Sequence, residues 1–169
     1  MNTLLPQSFF NRSAVVVARE LLGCYLVRKN ERYLITEAEA YEGHDDLASH
    51  ASRGRTVRTE IMFGHPGFIY IYLIYGMYWM LNIVTGEKGH PAAVLIRGVE
   101  GISGPGKLTK KLGITKSLNG KKLGKESGLW IEKGLRKIPA KNIEKTARIG
   151  VDHAGPVWAK KEWRFVIKQ

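Results

Sequence analysis

An uncharged stretch from residue 68 to residue 84 alternates in the manner of two β-strands. Phe68, Tyr70 and Tyr72 are separated by aliphatic residues, which is the period-two pattern of a strand with two distinct faces. Tyr75-Gly76 then interrupts the run, and extended-structure residues resume. The pattern predicts a β-hairpin with its tip at Tyr75-Gly76. Because buried tyrosine hydroxyls need partners that an apolar core lacks, we expect the tyrosine face to border a cavity.

Residues 33–41 also alternate, and they place two carboxylates and a tyrosine on one side of a strand. The predicted faces are Tyr33, Ile35, Glu37, Glu39 and Tyr41 against Leu34, Thr36, Ala38 and Ala40. The following segment, residues 42–60, contains two His, three Arg and four acidic residues with little apolar periodicity. Such a polar loop on a rigid scaffold is typical of a functional segment.

The other predicted elements follow from caps, glycines and apolar runs. In chain order they are a helix between Ser13 and Gly23, strands at 24–28, 93–96, 147–151 and 163–167, a short helix within 101–114, and loops over 115–142. Arg97 ends the buried strand at 93–96. It is interpreted either as a surface residue or as one that points into a cleft.

The charge of the chain is unevenly distributed. Residues 1–100 contain ten Lys or Arg and ten Asp or Glu, whereas residues 101–169 contain seventeen and five. The net charge of +12 therefore comes from the last part of the sequence. This asymmetry favours a polyanionic partner, either nucleic acid or an anionic membrane surface.

Length and cysteine content indicate one intracellular domain. A chain of 169 residues is long enough for one core, so we expect a single domain over 1–169. The one cysteine, Cys24, cannot form an internal disulfide and suits a reducing compartment. No secretion signal is recognisable at the start of the sequence, and the uncharged stretch at 68–84 is at the short limit for a membrane span.

The paired carboxylates and the aromatic hairpin together suggest hydrolysis of a glycosidic bond. Carboxylates at positions i and i+2 of a strand are about 7 Å apart at the backbone, near the spacing used when one of them activates water. Aromatic rings beside them favour a flat ligand, with roughly 1–3 kcal/mol of stacking per nucleobase. A tyrosine at the hairpin tip could act as a wedge between base pairs.

A metal-dependent nuclease is the rival interpretation of the same region. Oxygen ligands suit Mg²⁺ or Mn²⁺, although no HxH or HExxH spacing is present. The side chains that could serve as ligands are Glu37, Glu39, His44, Asp45, Asp46 and His50.

A series of short motifs resembles the alkyladenine (3-methyladenine) DNA glycosylase family. The motifs come in the family's order and extend over most of the chain: TEAEAY at 36–41, ASHA at 48–51, RGRT at 53–56, MFG at 62–64, YIYLIYGMYWMLN at 70–82, VLIRGVE at 94–100, GPGKL at 104–108 and RIGVDHAG at 148–155. The resemblance implies a mixed α/β domain with a curved, largely antiparallel sheet, flanking helices and a protruding hairpin that enters DNA. It also implies hydrolytic removal of damaged purines, namely 3-methyladenine, 7-methylguanine, hypoxanthine and ethenoadenine, without strand cleavage.

The resemblance also implies roles for individual residues. Glu39 matches the general base, while Arg97 and the backbone carbonyl of Ile149 match the groups that hold the attacking water. The matches in the base pocket are Tyr41, His50, Tyr72 and Asn82, of which Asn82 excludes the amine of normal guanine. The predicted DNA contacts are Tyr75 as wedge, Gly76, Met77, Arg55, Arg58 and Lys107.

No cofactor or metal is implied, and the expected partner is double-stranded DNA that contains damaged purines. We expect a monomer that binds no membrane. A non-catalytic protein that binds damaged DNA is a further alternative. The chain departs from the family pattern at two positions of one loop, which in this chain comprises Thr56, Val57, Arg58, Thr59 and Glu60. Where many members have TPRNE, Val57 replaces Pro and Thr59 replaces Asn, which leaves the path of this loop and any DNA contact made there open.

Overall fold

The computed structural model describes residues 3–168 and arranges them around one large, open antiparallel sheet. Within this range the helices are α1 (Gln7–Phe10), α2 (Ala14–Leu21), α3 (Pro105–Leu112) and α4 (Gly155–Trp158). The strands are β1 (Tyr25–Arg28), β2 (Glu31–Glu42), β3 (Ile69–Ile74), β4 (Tyr78–Val84), β5 (Ala92–Val99), β6 (Ile102–Ser103), β7 (Leu129–Glu132), β8 (Ile143–Thr146) and β9 (Arg164–Ile167). The predicted mixed α/β class with an antiparallel sheet is confirmed.

Strand β2 is the centre of the sheet. The strand order is β3-β4-β5-β2-β1-β7, and the long β2 also pairs with β9, whose other neighbour is β8. Helix α2 is capped by Ser13, whose hydroxyl accepts the N–H of Val15, and the helix packs against the aliphatic face of the sheet. The main core therefore lies between α2 and the sheet, and the opposite face of β2 is left for the carboxylates.

Two bulges in the β2–β5 pair correct the predicted faces of β2. The register shifts at Thr36 on β2 and at Arg97 on β5. Ile35 consequently lies in the main core with Ala38 and Ala40, and not beside Glu37 as strict alternation predicted. A bulge places two residues opposite one and so re-aims the side chains that follow it. Arg97 lies within β5 and not at its end, because the strand continues to Val99.

The hairpin matches its prediction. Ile69 and Ile71 belong to the main core, whereas Tyr70 lies in a second buried cluster against which Phe68 and Tyr72 pack. Strands β3 and β4 pair from Ile69↔Ile83 to Ile74↔Tyr78, which leaves residues 75–77 as the tip.

Helix α3 supports the tip end of this hairpin. A Cβ atom on Gly106 would lie 2.8 Å from Cδ1 of Tyr78, so only glycine allows the first turn of α3 to approach the hairpin this closely.

Two predictions near the C-terminus were wrong. Residues 147–151 form no strand; strand β8 ends before them, and Gly150 has φ of +74°, which a regular strand does not accommodate. The 115–142 region contains β7 in addition to loops, because its four residues pair with β1. Among the described residues, no helix has the length and apolar composition needed to cross a membrane.

Candidate active site

Glu39 lies at the centre of a group of polar contacts on the face of β2 opposite the main core. Its side chain has no solvent exposure. Oε1 accepts the backbone N–H of Ile149 at 2.8 Å, and Oε2 accepts the hydroxyl of Tyr41 at 2.8 Å. The guanidinium Nε of Arg97 lies 3.5 Å from Oε1. These contacts bring together residues that are far apart in the sequence, including the predicted catalytic set of Glu39, Arg97 and Ile149.

Burial sets the acidity of this carboxyl group. The pKa of Glu39 is raised above its ordinary value because burial disfavours the charged form, and the charge of Glu37 acts in the same direction. Arg97, the N–H of Ile149 and the hydroxyl of Tyr41 oppose this shift, because each stabilises the carboxylate. The resulting group is a stronger base than an exposed glutamate, and it is held in place by three partners.

Arg97 is shared between two carboxylates. Its Nε donates to Oε1 of Glu37 at 3.1 Å, closer than the 3.5 Å that separates it from Glu39. The same oxygen of Glu37 accepts Nε of Arg164 at 2.6 Å. Of the two sequence interpretations of Arg97, the structure supports the one in which it points inward, since only 13% of its side chain is exposed.

The aromatic residues predicted for the base pocket are neighbours. The rings of His50 and Tyr72 meet edge to face with centroids 4.5 Å apart, and those of Tyr70 and Tyr72 are 5.4 Å apart. Tyr41, His50 and Tyr72 are each half-buried. Nδ1 of His50 lies 3.3 Å from the hydroxyl of Tyr70, and the hydroxyl of Tyr41 donates to Glu39, so both tyrosine hydroxyls have polar partners within the protein.

His50 is neutral at physiological pH. Burial and the nearby positive charges of Arg58, His153 and Arg53 lower its pKa to about 4. Burial also raises the pKa of Tyr72. The aromatic group therefore presents rings without a formal charge, and such rings attract flat ligands, including cationic ones.

The base pocket that the resemblance implies does not open onto the Glu39 carboxylate in this structure. No atom of Glu39 reaches solvent, although the surrounding rings keep part of their surface exposed. A carboxylate oxygen accepts two hydrogen bonds, so Oε2, which accepts only the Tyr41 hydroxyl among the described residues, retains acceptor capacity.

Asn82 lies in the sheet row that leads to Glu39. It pairs with Tyr70 on one side and Leu95 on the other, and Leu95 pairs with Glu39. Paired residues of neighbouring strands point to the same face, so this row is continuous with the site. The Asn82 side chain is buried and donates to the carbonyl of Met80 at 3.4 Å.

The hairpin tip is exposed and apolar. Tyr75 is 87% exposed and Met77 is 65% exposed. Both Tyr75 and Gly76 have positive φ, at 51° and 66°, which costs glycine nothing but is unusual for tyrosine. A large aromatic side chain is thus held outside the protein at a turn that local sequence preference alone would not favour.

The predicted basic contacts differ in their surroundings. Arg55 forms a two-pronged ion pair with Glu60, at 2.9 and 2.8 Å, on the surface. Arg58 is exposed and lies 5.3 Å from the centre of the Tyr72 ring. Lys107 is exposed in the first turn of α3. Of these three, Arg58 is the one that borders the aromatic group.

The loop that departs from the family pattern is fixed by a threonine. Thr59 is buried; its hydroxyl accepts the N–H of Thr56 at 2.9 Å and donates to the carbonyl of Gly54 at 3.1 Å. Val57 is 98% exposed. Thr59 therefore stabilises the loop, while Val57 is free to contact a partner.

The rival metal site does not assemble. Within residues 3–168, no three His, Cys, Asp or Glu side chains converge as metal ligands would. Asp46, one of the proposed ligands, is fully buried against Arg148. The structure therefore gives no support to the two-metal nuclease.

Comparison with known proteins identifies the family. The model of the family described as methylpurine-DNA glycosylase matches residues 8–104 and 100–169. The chain belongs to the methylpurine-DNA glycosylase family.

Similar proteins cover nearly the whole chain. One from Rickettsia peacockii is 47% identical over 176 residues, which cover 99% of this chain and 92% of that protein. One from Methanocella arvoryzae is 44% identical over 98% of this chain and 92% of its own length. A third, from Wolbachia pipientis subsp. Culex pipiens, is 55% identical over 70% of this chain and 68% of its own. Each is named "Putative 3-methyladenine DNA glycosylase".

Membership of the methylpurine-DNA glycosylase family makes the chain a DNA-repair enzyme. It is a DNA glycosylase, a hydrolase that acts on N-glycosidic bonds, and its substrate is DNA. The sequence-based identification of the family and of the enzyme class is confirmed.

Sequence reasoning missed an ion pair that supports the candidate site. Arg148 donates to both oxygens of Asp46, at 2.6 and 2.9 Å, and both side chains are fully buried. Its guanidinium also donates to the carbonyls of Ala40 and Trp158. Arg148 immediately precedes Ile149, so it fixes the segment whose N–H bonds to Glu39. Its place in the RIGVDHAG motif was the available signal.

Proposed function

We propose that this glycosylase removes 3-methyladenine, 7-methylguanine, hypoxanthine and ethenoadenine from duplex DNA with Glu39 as general base. The observation that carries the proposal is the position of Glu39, a buried carboxylate with a raised pKa that accepts the hydroxyl of Tyr41 and lies near Tyr72. A base in this setting has the chemical character that water activation requires.

The first step is extrusion of the damaged nucleotide. Flipping a base out of the duplex costs a few kcal/mol and is least costly where damage has weakened the pair. The exposed ring of Tyr75 fills the vacated stack, with Gly76 and Met77 completing the tip that enters the minor groove. A protruding tip is necessary because a ring that packed on its own protein could not be inserted.

The second step is attack of water on the sugar. As the glycosidic bond breaks, the sugar gains oxocarbenium character, and the Glu39 carboxylate both accepts a proton from water and stabilises the developing positive charge. Arg97 and the carbonyl of Ile149 hold the water. Because Glu39 has no contact with solvent in the free protein, the water is admitted together with the nucleotide.

Selectivity comes from the lesion and from the pocket. Cationic alkylated purines are good leaving groups, whereas neutral hypoxanthine needs protonation or hydrogen bonding of its ring. Since the pKa of His50 is about 4, its ring is neutral and does not repel a cationic purine. Asn82 obstructs the exocyclic amine of normal guanine.

The rest of the surface provides the electrostatic contribution to DNA binding. Arg58 and Lys107 are exposed and face phosphates, and Arg55 joins them when its pair with Glu60 opens. We infer that the enzyme acts as an intracellular monomer and requires neither metal nor cofactor.

The test uses a duplex with one hypoxanthine, incubated with the protein in the presence and in the absence of EDTA and then treated with alkali. The proposal expects strand cleavage only after alkali, because excision leaves an abasic site. Cleavage without alkali that disappears in EDTA would indicate a metal nuclease. A mobility shift with an intact strand after alkali, for this duplex and for the other three lesions, would refute the proposed activity.

A further inference from the structure

The carboxylate of Glu37 is enclosed by two arginines and a glycine. One oxygen, Oε1, accepts Nε of Arg97 at 3.1 Å and Nε of Arg164 at 2.6 Å. Opposite it on β5, a Cβ atom on Gly98 would lie 3.3 Å from both Cβ and Oε2 of Glu37. The bulges at Thr36 and Arg97 bring these groups to one face. A single oxygen thus joins two guanidinium groups in a place where a neighbouring side chain would crowd it.

We propose that Glu37 is a positioning residue that holds Arg97 beside the general base and prevents it from closing into a full ion pair with Glu39. This inference rests on the proposed role of Glu39. Arg97 is the residue in contact with Glu39, and Glu37 acts through it.

The distances support a competition between the two carboxylates. Nε of Arg97 is 0.4 Å closer to Glu37 than to Glu39, from 3.1 and 3.5 Å. Glu37 and Arg97 are both mostly buried, with 10% and 13% of their side chains exposed, so their interaction is only weakly screened by solvent. A direct Arg97–Glu39 pair would neutralise the base and use the donors that are to hold water.

Arg164 on β9 balances the charge of this arrangement. It donates to the same oxygen of Glu37 as Arg97 does, and it also donates to the hydroxyl of Thr146 at 2.9 Å. The groups that act on Glu39 are Arg97 from β5, Tyr41 and Glu37 from β2, Tyr72 from β3 and the N–H of Ile149. Removing the charge of Glu37 therefore removes one repulsion from Glu39 and frees Arg97 to move towards it.

Two variants separate charge from position. Glu37→Gln removes the charge and keeps the shape, whereas Glu37→Asp keeps the charge but shortens the reach to Arg97. Glu144→Gln is the matched control, because Glu144 is exposed on β8 and pairs with Val166, the same β9 residue that pairs with Glu37. Single-turnover excision of 7-methylguanine is measured across pH. This lesion is already cationic, so the acid limb of its pH profile reports the ionisation of Glu39, the proposed general base.

We expect both Glu37 variants to lose plateau rate by roughly 10- to 100-fold, because a small misplacement of a catalytic group has that effect. In Glu37→Gln the acid limb also moves to lower pH. The pKa of Glu39 falls there because Glu39 loses a negatively charged neighbour and Arg97 moves closer to it. In Glu37→Asp the limb moves less, and Glu144→Gln follows the wild type. A rate loss in both variants with an unmoved acid limb and a lowered melting temperature would show that Glu37 has a merely structural role, and this would overturn the proposal. Wild-type pH profiles in both variants would also overturn it.

A measurement without DNA keeps this inference separate from the proposed function. In protein labelled with ¹³C at glutamate carboxylates, the resonance of Glu39 is assigned by its absence from Glu39→Gln. We expect its titration midpoint to fall in Glu37→Gln and to stay at the wild-type value in Glu144→Gln. An unchanged midpoint in Glu37→Gln overturns the inference whether or not the wild type excises 7-methylguanine, whereas failure of wild-type excision alone overturns the proposed function.

Discussion

Replacing Glu39 with glutamine is expected to abolish base excision and, at the same time, to stabilise the free protein. The amide has nearly the shape of the carboxylate. Its oxygen can accept the N–H of Ile149, and its NH₂ can donate to the hydroxyl of Tyr41, which replaces the two hydrogen bonds of 2.8 Å. What disappears is the negative charge and the ability to accept a proton from water.

The catalytic loss follows from that change. General-base catalysis contributes about 10²- to 10⁴-fold in rate, which corresponds to about 3–5 kcal/mol of transition-state stabilisation. Loss of the negative charge that stabilises the oxocarbenium ion adds to this catalytic loss. Binding of lesion DNA is expected to persist, because the rings of Tyr41, His50 and Tyr72 are unchanged.

The gain in stability follows from the direction of the pKa shift. A carboxyl group whose pKa is raised by burial destabilises the fold once it ionises, and each pKa unit corresponds to about 1.4 kcal/mol. For a chain of this size, that is about 3–6 °C in melting temperature per unit. The cost is present above the raised pKa and vanishes below the pKa of the unfolded chain. The advantage of Glu39→Gln should therefore be largest at neutral pH and disappear as the pH falls below about 4.

Three measurements test this reasoning: single-turnover excision, binding of lesion DNA by fluorescence anisotropy, and thermal unfolding of wild type and variant from pH 3.5 to 8. Excision by Glu39→Gln at the wild-type rate would remove Glu39 from the role of base. A variant that melts below the wild type at pH 7 would show that burial of this charge does not carry the cost inferred here.

Three further substitutions test other parts of the structure. Tyr75→Ala should leave the melting temperature unchanged, since the ring is 87% exposed, but should lower excision from duplex DNA about 5- to 150-fold, which corresponds to the loss of one stacking contact of about 1–3 kcal/mol. An equal loss on single-stranded lesion DNA would contradict the role of Tyr75 as a wedge. Asp46→Ala leaves the fully buried Arg148 without a counter-charge and should lower the free energy of unfolding by about 3–5 kcal/mol, or the melting temperature by about 6–20 °C. A melting temperature within about 2 °C of the wild type would contradict a stabilising ion pair. Gly106→Ala places a methyl group 2.8 Å from Tyr78, so we expect a loss of about 1–3 kcal/mol in stability and weaker lesion binding by anisotropy. Wild-type values in both assays would show that the space between α3 and Tyr78 admits a methyl group.

The hairpin and the first long helix were predictable because their signals are local. The alternation of tyrosine with isoleucine in β3, and the glycine at the turn, need only the backbone geometry of one strand and one turn. The N-cap at Ser13 and the stop at Gly23 likewise act within a few residues. Strand β7 was missed because its four residues lie among lysines and glycines, and only pairing with β1 stabilises them.

The candidate site was only partly predictable. Glu39, Tyr41 and Tyr72 are apparent as a carboxylate and rings on alternating positions, and motif order indicated Arg97, His50 and Ile149. The bulges that separate Ile35 from Glu37 were not foreseeable, because a bulge depends on how two strands match in register.

The sequence by itself determined the family, the enzyme class, the hairpin with its exposed aromatic tip, and the residue types from which the site is made. Tertiary structure decided the arrangement of charges. Glu37 accepts hydrogen bonds from both Arg97 and Arg164, and Asp46 pairs with Arg148 across 102 positions of the chain. Glu39 is fully buried. The physical reason is that burial and Coulomb interactions depend on distances in space between residues remote in sequence, whereas alternation, caps and turns are properties of neighbouring residues.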